Sequence, residues 1–254
     1  MTAGDEDMAP PQAPGSGTAS APRAGRPSGS RTAEDRAGRI RAGIVTAILE
    51  QRLHPGTKLG EDEIGAVYGA SRTIVRAALQ ALAHEGIVVI EKNRGAFVAR
   101  PSPEEAREVF EARRLIETAI AGRAALRYTP DWGAALDRHL AEERAALARG
   151  DDRAAIRLSG EFHGLVAALA GHGIFQSLLA ELIARSSLII LLYRSRRAQF
   201  CGSDHHAAIA EAIRRGDGAL AGRLMGEHLV EIETGLDLKG DADTDRSLAD
   251  ILRG

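Results

Sequence analysis

The chain has 254 residues, room for one large or two modest domains, and 44% of them are hydrophobic, ample for a core. Aromatics make up 4% and the formal net charge is −2, so the Ala/Leu/Arg/Glu-rich text favours helices over sheet and excludes a global basic field. A single cysteine, Cys201, excludes an internal disulfide, and the longest unbroken apolar run, Leu188 to Tyr193, is far short of the ~20 residues of a membrane span; the expectation is a cytoplasmic protein with no membrane partner.

Residues 1–32 carry five of the nine prolines and no hydrophobic period, which predicts a disordered tail. From Glu34 to Arg52 the apolar residues Ile40, Ile44, Ile48 and Leu49 recur on one helical face, with Val45 nearby. Leu53-His54-Pro55-Gly56 ends that helix. A short helix follows from about Glu61 to Tyr68, with Ile64, Val67 and Tyr68 expected to point inward, and Gly69-Ala70 turns the chain into a second helix.

That second helix carries two faces. Val75, Ala78, Leu79 and Leu82 form a stripe for a core, while Arg72, Thr73, Arg76 and Gln80 gather on another side. Ser71 stands where its hydroxyl can cap the first turn. Arg can bond guanine O6/N7 through two parallel N–H groups or grip phosphate, and Thr can bond phosphate or touch a thymine methyl. Two helices joined by a few residues including Gly, the second bearing the polar face, is the helix-turn-helix plan for double-stranded DNA. Gly86 suits the left-handed position that ends the helix.

Ile87 to Glu91 is β-branched and short, and Ala96 to Ala99 returns as a second strand. The tip between them, Lys92-Asn93-Arg94-Gly95, supplies turn chemistry and two positive charges. A basic-tipped hairpin after a reading helix is a wing, with Lys92, Arg94 and Gly95 as candidate DNA contacts. Between Glu34 and Arg100 there are ten Lys or Arg against eight Asp or Glu, so position decides the sign of the binding face.

Residues 33–100 are therefore predicted to be a winged-helix DNA-binding domain and 101–103 a linker. Ser102 then caps a helix with Pro103 at its first position and Glu105 at the reciprocal place of a capping box. Helices are expected over about 103–127, 132–149, 152–170, 174–198, 204–215 and 218–236. No strand signal appears here, so 104–237 reads as an all-α bundle and 238–254 as a polar tail. The fold class is mainly α: a winged helix-turn-helix followed by a helical bundle.

Six of the eight histidines lie in this half. His206 and His228 stand ten residues before and twelve after Gly216, at similar height on an antiparallel helical hairpin. His163 is embedded in another apolar pattern. Three neutral imidazoles in a bundle would hold a divalent transition metal such as zinc or nickel; three separately hydrogen-bonded histidines fit the same spacing. A metal-dependent enzyme built on them is the alternative from another class, but no HExxH, GxSxG elbow, phosphate-cradling Gly loop or dinucleotide fingerprint accompanies them. A protein-interaction module is a third class, distinguished by indifference to DNA.

The stretches Leu53-His54-Pro55-Gly56-Thr57-Lys58-Leu59, Ser71-Arg72-Thr73-Ile74-Val75-Arg76-Ala77-Ala78-Leu79, Glu85-Gly86-Ile87 and Asn93-Arg94-Gly95-Ala96-Phe97-Val98 together resemble the winged-helix domain of the GntR family. The second half resembles the FCD effector domain of its FadR subfamily, in Arg113 four before Glu117, Glu161-Phe162-His163, His206 with Ile209, Arg215-Gly216-Asp217, and Met225 with His228-Leu229. The resemblance implies a homodimeric regulator, repressor more than activator, that binds an inverted-repeat operator and answers to a small organic acid or similar metabolite. It places DNA contacts at Ser71, Arg72, Thr73, Arg76 and Gly95, metal ligands at His163, His206 and His228, and effector contacts at Arg113 and Ser159. Two positions depart from the family pattern. Asp62 stands near a basic DNA contact of the preceding helix, and Ser159 stands where metal-binding members carry a ligating Asp.

Overall fold

The computed structural model describes residues 29–194 and 202–238; the expectations for 1–28, for the end of the 174–198 helix, for Cys201 and for 239–254 lie outside them. The N-terminal part runs α1 (Gly29–Leu49), β1 (Lys58–Leu59), α2 (Glu61–Tyr68), α3 (Arg72–His84), β2 (Val88–Glu91) and β3 (Gly95–Val98). Helix α1 starts a turn earlier than expected. Its Ile40, Ile44 and Ile48 are buried with Val75, Ala78, Leu79 and Leu82 of α3, so the two periodic stripes face each other. Leu49 reaches instead toward the bundle core.

Helix α3 ends as its sequence demands. Gly86 has φ 72, its N–H donates to Ala83, and Ile87 N–H donates to Leu82, satisfying the last carbonyls. Val88↔Val98 through Glu91↔Gly95 pair antiparallel as a hairpin. One strand was not anticipated. Residues Lys58–Leu59 pair with β3 on its other side, giving the order β1-β3-β2; two residues are too few for an alternation signal to register.

Other expectations need correction. Val67 is 78% exposed, because the eight-residue α2 offers α3 only the narrow face of Ile64 and Tyr68. Ser71 occupies the N-cap position of α3 with extended backbone, but its hydroxyl makes no capping bond. The linker forms half a capping box: Ser102 Oγ accepts from Glu105 N–H at 3.1 Å, while the Glu105 carboxylate turns to Arg185.

The remaining helices are α4 (Pro103–Ala125), α5 (Pro130–Ala148), α6 (Asp152–Ala170), α7 (Gly173–Tyr193), α8 (Gly202–Arg214) and α9 (Gly218–Thr234). They enclose a core built around Ile120, Leu136, Phe162, Val166, Ile213, Met225 and Leu229. α4 and α9 touch backbone to backbone, since a Cβ on Gly218 would lie 2.8 Å from the Gly122 carbonyl oxygen. The same packing sets Arg113 of α4 beside His228 of α9.

Helix α7 joins the two parts. By length and composition its 21 residues suffice to cross a membrane, contrary to the expectation from unbroken runs, because Glu181 and Arg185 interrupt the run without making the helix polar on average. From Leu179 onward its faces are used inside the protein, while Ile174 and Leu178 in the first turns are exposed. Ala184 and Leu188 belong to the winged-helix core, Ile189 and Tyr193 pack with Val109 and Phe110 of α4, and Leu179 and Ile183 join the bundle core. The Tyr193 hydroxyl also donates to the Pro101 carbonyl in the linker at 2.9 Å.

Candidate nucleic-acid interface and candidate metal centre

The N-terminal face is assembled from α3 and the wing. Ser71, Arg72, Thr73, Arg76, Gln80, Lys92, Arg94 and Gly95 are all exposed, as a surface meant for a groove requires. The Arg72 and Arg76 side chains are 69% and 65% exposed, yet neither is idle. Arg72 donates from Nε and Nη2 to the two Asp62 oxygens at 2.7 and 2.9 Å. Arg76 donates from Nε to Glu61 at 2.8 and 3.0 Å. Both carboxylates come from the first turn of α2. In the wing, Asn93 and Gly95 have φ 63 and 108, Arg94 pairs with Glu91, and its guanidinium lies 5.6 Å from the Phe97 ring centre. Lys58, on the unanticipated strand, comes within reach of Gly95 and adds a third cation near the wing tip.

The second site lies inside the bundle. His163 of α6, His206 of α8 and His228 of α9 are all buried, and one ring nitrogen from each falls within 4.8 Å of the others. Nε2 of His206 is 3.0 Å from Nε2 of His228. The predicted convergence across the α8–α9 hairpin is present, and His163 joins it, stacked on His228 with ring centres 5.3 Å apart.

Two buried carboxylates fix the rings. Glu117 accepts from Nδ1 of His163, and from Nε of Arg113 at 2.6 Å. Both Glu143 oxygens lie 2.9 Å from Nδ1 of His206. A carboxylate on Nδ1 holds the proton there and leaves Nε2 as a lone pair. Burial pushes His163 down to about 4 and His206 down to about 3, and it lowers His228 further with the help of the neighbouring imidazoles. All three are neutral at pH 7. Burial also pushes Glu143 up to about 7. Burial acts the same way on Glu117, but Arg113 and His163 together outweigh it and leave the carboxyl at about 2.

This donor set fits a divalent transition ion. With metal–nitrogen bonds of about 2.0–2.1 Å, adjacent ligand atoms sit about 2.9–3.4 Å apart, which brackets the His206–His228 separation. Nε2 of His163 is buried with no hydrogen-bond partner, a vacant lone pair of the kind a metal takes. Ser159, one turn before His163, offers a hydroxyl where a carboxylate would complete a charged set.

Beside the histidines is a cavity of about 100 Å³, lined among others by Arg113, Ser159, Ser186, His205, His228 and Glu231. Arg113 donates from Nη1 to Ser186 Oγ at 2.8 Å, while its Nη2 is buried without an acceptor. Sequence reasoning placed Arg113 and Ser159 here but missed Glu143, Ser186, Ser187, His205 and Glu231. Glu143 had a signal: it falls on the apolar stripe of Leu136, Leu140 and Ala146, where a carboxylate is out of place unless paired.

A winged helix-turn-helix seated on a helical bundle with a histidine-lined cavity, apolar over most of its wall and holding a buried arginine, defines a DNA-binding regulator with a ligand-sensing domain. The chain belongs to the gntR family of bacterial regulatory proteins, whose model matches residues 36–98, and the FCD domain model matches residues 108–231. It is similar to the HTH-type transcriptional repressor RspR of Escherichia coli K12, 29% identical over 76% of this chain and 83% of that one. An HTH-type transcriptional regulator from Streptomyces ambofaciens is 30% identical over 72% of this chain and 77% of its own length. Among solved structures, a GntR regulator from Rhodococcus sp. RHA1 superposes with a TM-score of 0.67 at 25% identity, covering 79% of this chain and 96% of that one. Escherichia coli McbR/YncC shares the fold, with a TM-score of 0.70 at 17% identity over 77% of this chain and 94% of its own. The protein is a ligand-responsive, DNA-binding transcriptional regulator.

Proposed function

We propose that the protein is a cytoplasmic homodimeric repressor that binds an inverted-repeat operator through α3 and the wing, and that a small organic acid entering the α4–α6–α7–α9 cavity changes operator affinity. The observation that carries this reading is the double duty of α7. Ile183, Ser186, Ser187 and Ile190 line the cavity, while Ala184 and Leu188, on the intervening positions, lie in the winged-helix core. Arg185 between them packs against Gly86 at the end of α3 and pairs with Glu105 at the start of α4. A ligand that shifts α7 therefore shifts the reading helix relative to its partner copy, which is the differential contact that coupling requires.

An acid is favoured because Arg113, although paired with Glu117 through Nε, keeps a buried Nη2 donor without an acceptor, and the lining carries Arg113 and Arg194 against Glu231. His163, His206 and His228 would hold one divalent ion, zinc or nickel, which when bound supplies a positive centre for a ligand oxygen. Glu117 and Glu143 orient the rings, and Ser159 leaves that centre less neutralised than an Asp would. The regulator reading is preferred to a metal-dependent enzyme because the relatives are regulators.

The test uses duplexes enriched from a randomised pool by the full-length protein. Organic acids that raise its melting temperature are then added to the same complexes. Operator affinity is expected to change at least several-fold with one of them; indifference to every stabilising acid would refute the coupling.

A further inference from the structure

We propose that Asp62 is the positioning residue of the reading arginine Arg72, presenting it to guanine and withholding it from phosphate. The inference rests on α3 being the groove-reading helix. A guanidinium has two edges with parallel donors: Nε with Nη2, and Nη1 with Nη2. Asp62 takes the first edge in two-point fashion, Oδ1 at 2.7 Å from Nε and Oδ2 at 2.9 Å from Nη2. The second edge stays complete, and it is the pair of donors that matches guanine O6 and N7.

The pair contributes little to folding. The Asp62 and Arg72 side chains are 74% and 69% exposed, and surface pairs of this kind add almost nothing to stability. Its effect is on what Arg72 can do. A free arginine on a surface samples many rotamers and takes any phosphate within reach; one gripped at Nε and Nη2 keeps its outer edge in a single direction. The hydrogen bond from Arg72 also holds the Asp62 carboxyl below the usual carboxylate range, so the grip stays ionised.

The same turn carries a repulsive element. Glu61 and Asp62 lie in the first turn of α2, so the two arginines of α3 face two carboxylates. Next to phosphate those carboxylates are unfavourable, whereas a guanine edge leaves the Arg72–Asp62 pair intact. Mismatched duplex is thereby disfavoured, and selectivity grows from the repulsion as much as from the attraction. Arg76 is tethered less firmly, through Nε alone, and keeps both terminal nitrogens for phosphate or base.

The experiment compares wild type, Asp62→Asn and Arg72→Ala in selection from a randomised duplex pool, followed by binding titrations at several salt concentrations. Asn keeps the size of Asp but offers one acceptor oxygen and no charge, and the exposed site tolerates it; circular dichroism confirms folding. Wild type is expected to enrich a motif with a guanine in each half-site. In Asp62→Asn that guanine preference falls by roughly 5- to 100-fold while the other positions persist. Binding to the unselected pool tightens, and the slope of log affinity against log salt steepens by about one as Arg72 takes a phosphate. An unchanged guanine preference and slope in Asp62→Asn, with the guanine lost in Arg72→Ala, would overturn the positioning role and leave the α3 reading intact. A wild type that enriches no motif, or an Arg72→Ala that enriches the wild-type motif, would instead overturn the α3 reading and the inference with it.

Discussion

Replacing Glu117 by Gln tests the centre of the bundle with almost no change of volume. The carboxylate is buried, accepts from Arg113 Nε and from His163 Nδ1, and faces a guanidinium that is itself only 3% exposed. An amide can accept at one atom only and must turn its N–H₂ toward one of two donors. Arg113 is then a buried cation without its counter-charge, a situation that costs about 3–5 kcal/mol. The direction agrees: although burial raises it, the Glu117 carboxyl is held well below the usual carboxylate range by Arg113 and His163, so the charged form is the one the fold favours. Against a typical domain stability of about 5–15 kcal/mol the cost of the unpaired cation is a large loss. Urea unfolding of chelator-treated wild type and Glu117→Gln at one fixed protomer concentration measures it. The same variant, titrated against a chromogenic chelator, is expected to bind zinc about 10- to 100-fold more weakly, because His163 loses the group that sets its tautomer. A destabilisation under about 1 kcal/mol would refute the ion-paired core, and unchanged zinc affinity would refute the orienting role.

Three further outcomes are expected. Leu188→Ala removes a fully buried side chain that α7 contributes to the winged-helix core, and should cost about 2–5 kcal/mol and split calorimetric unfolding into two transitions; a single, barely shifted transition would contradict the shared core. Protein purified without an affinity tag should contain about one equivalent of zinc or nickel by elemental analysis, removal by chelator should lower its melting temperature, and His206→Ala or His228→Ala should carry none. A metal content unaffected by either substitution would place the ion elsewhere. Truncating Arg72 or Arg76 to Ala should weaken binding to a selected duplex by about 1–3 kcal/mol if each reads a base, while loss of Lys92 should mainly reduce the salt dependence by about one; negligible effects would remove those residues from the interface.

Much of this molecule is written in short-range patterns. The stripes of α1 and α3, the left-handed stop at Gly86, the wing turn and the Ser102–Pro103 start of α4 each depend on residues within a few positions of one another, so the chain alone determines them. The histidine triad was legible for the same reason in part: the α8–α9 hairpin converts spacing about Gly216 into height, and only the arrival of His163 needed a third helix.

What the chain could not announce are partnerships made across the fold. Val67 looks apolar enough to be buried, but a two-turn helix has only one face to bury. Glu105 reads as half of a local capping box, yet Arg185, eighty residues away, takes it instead. Glu143 and Ser186 become site residues only when α5 and α7 are packed beside α6, α8 and α4. Alternate positions of α7 serve two cores, a fact invisible in its nearly uniform apolar text. Periodicity tells a helix which side to hide; it does not say from whom, because hydrophobic burial is non-directional and the partner is chosen by the packing of the whole.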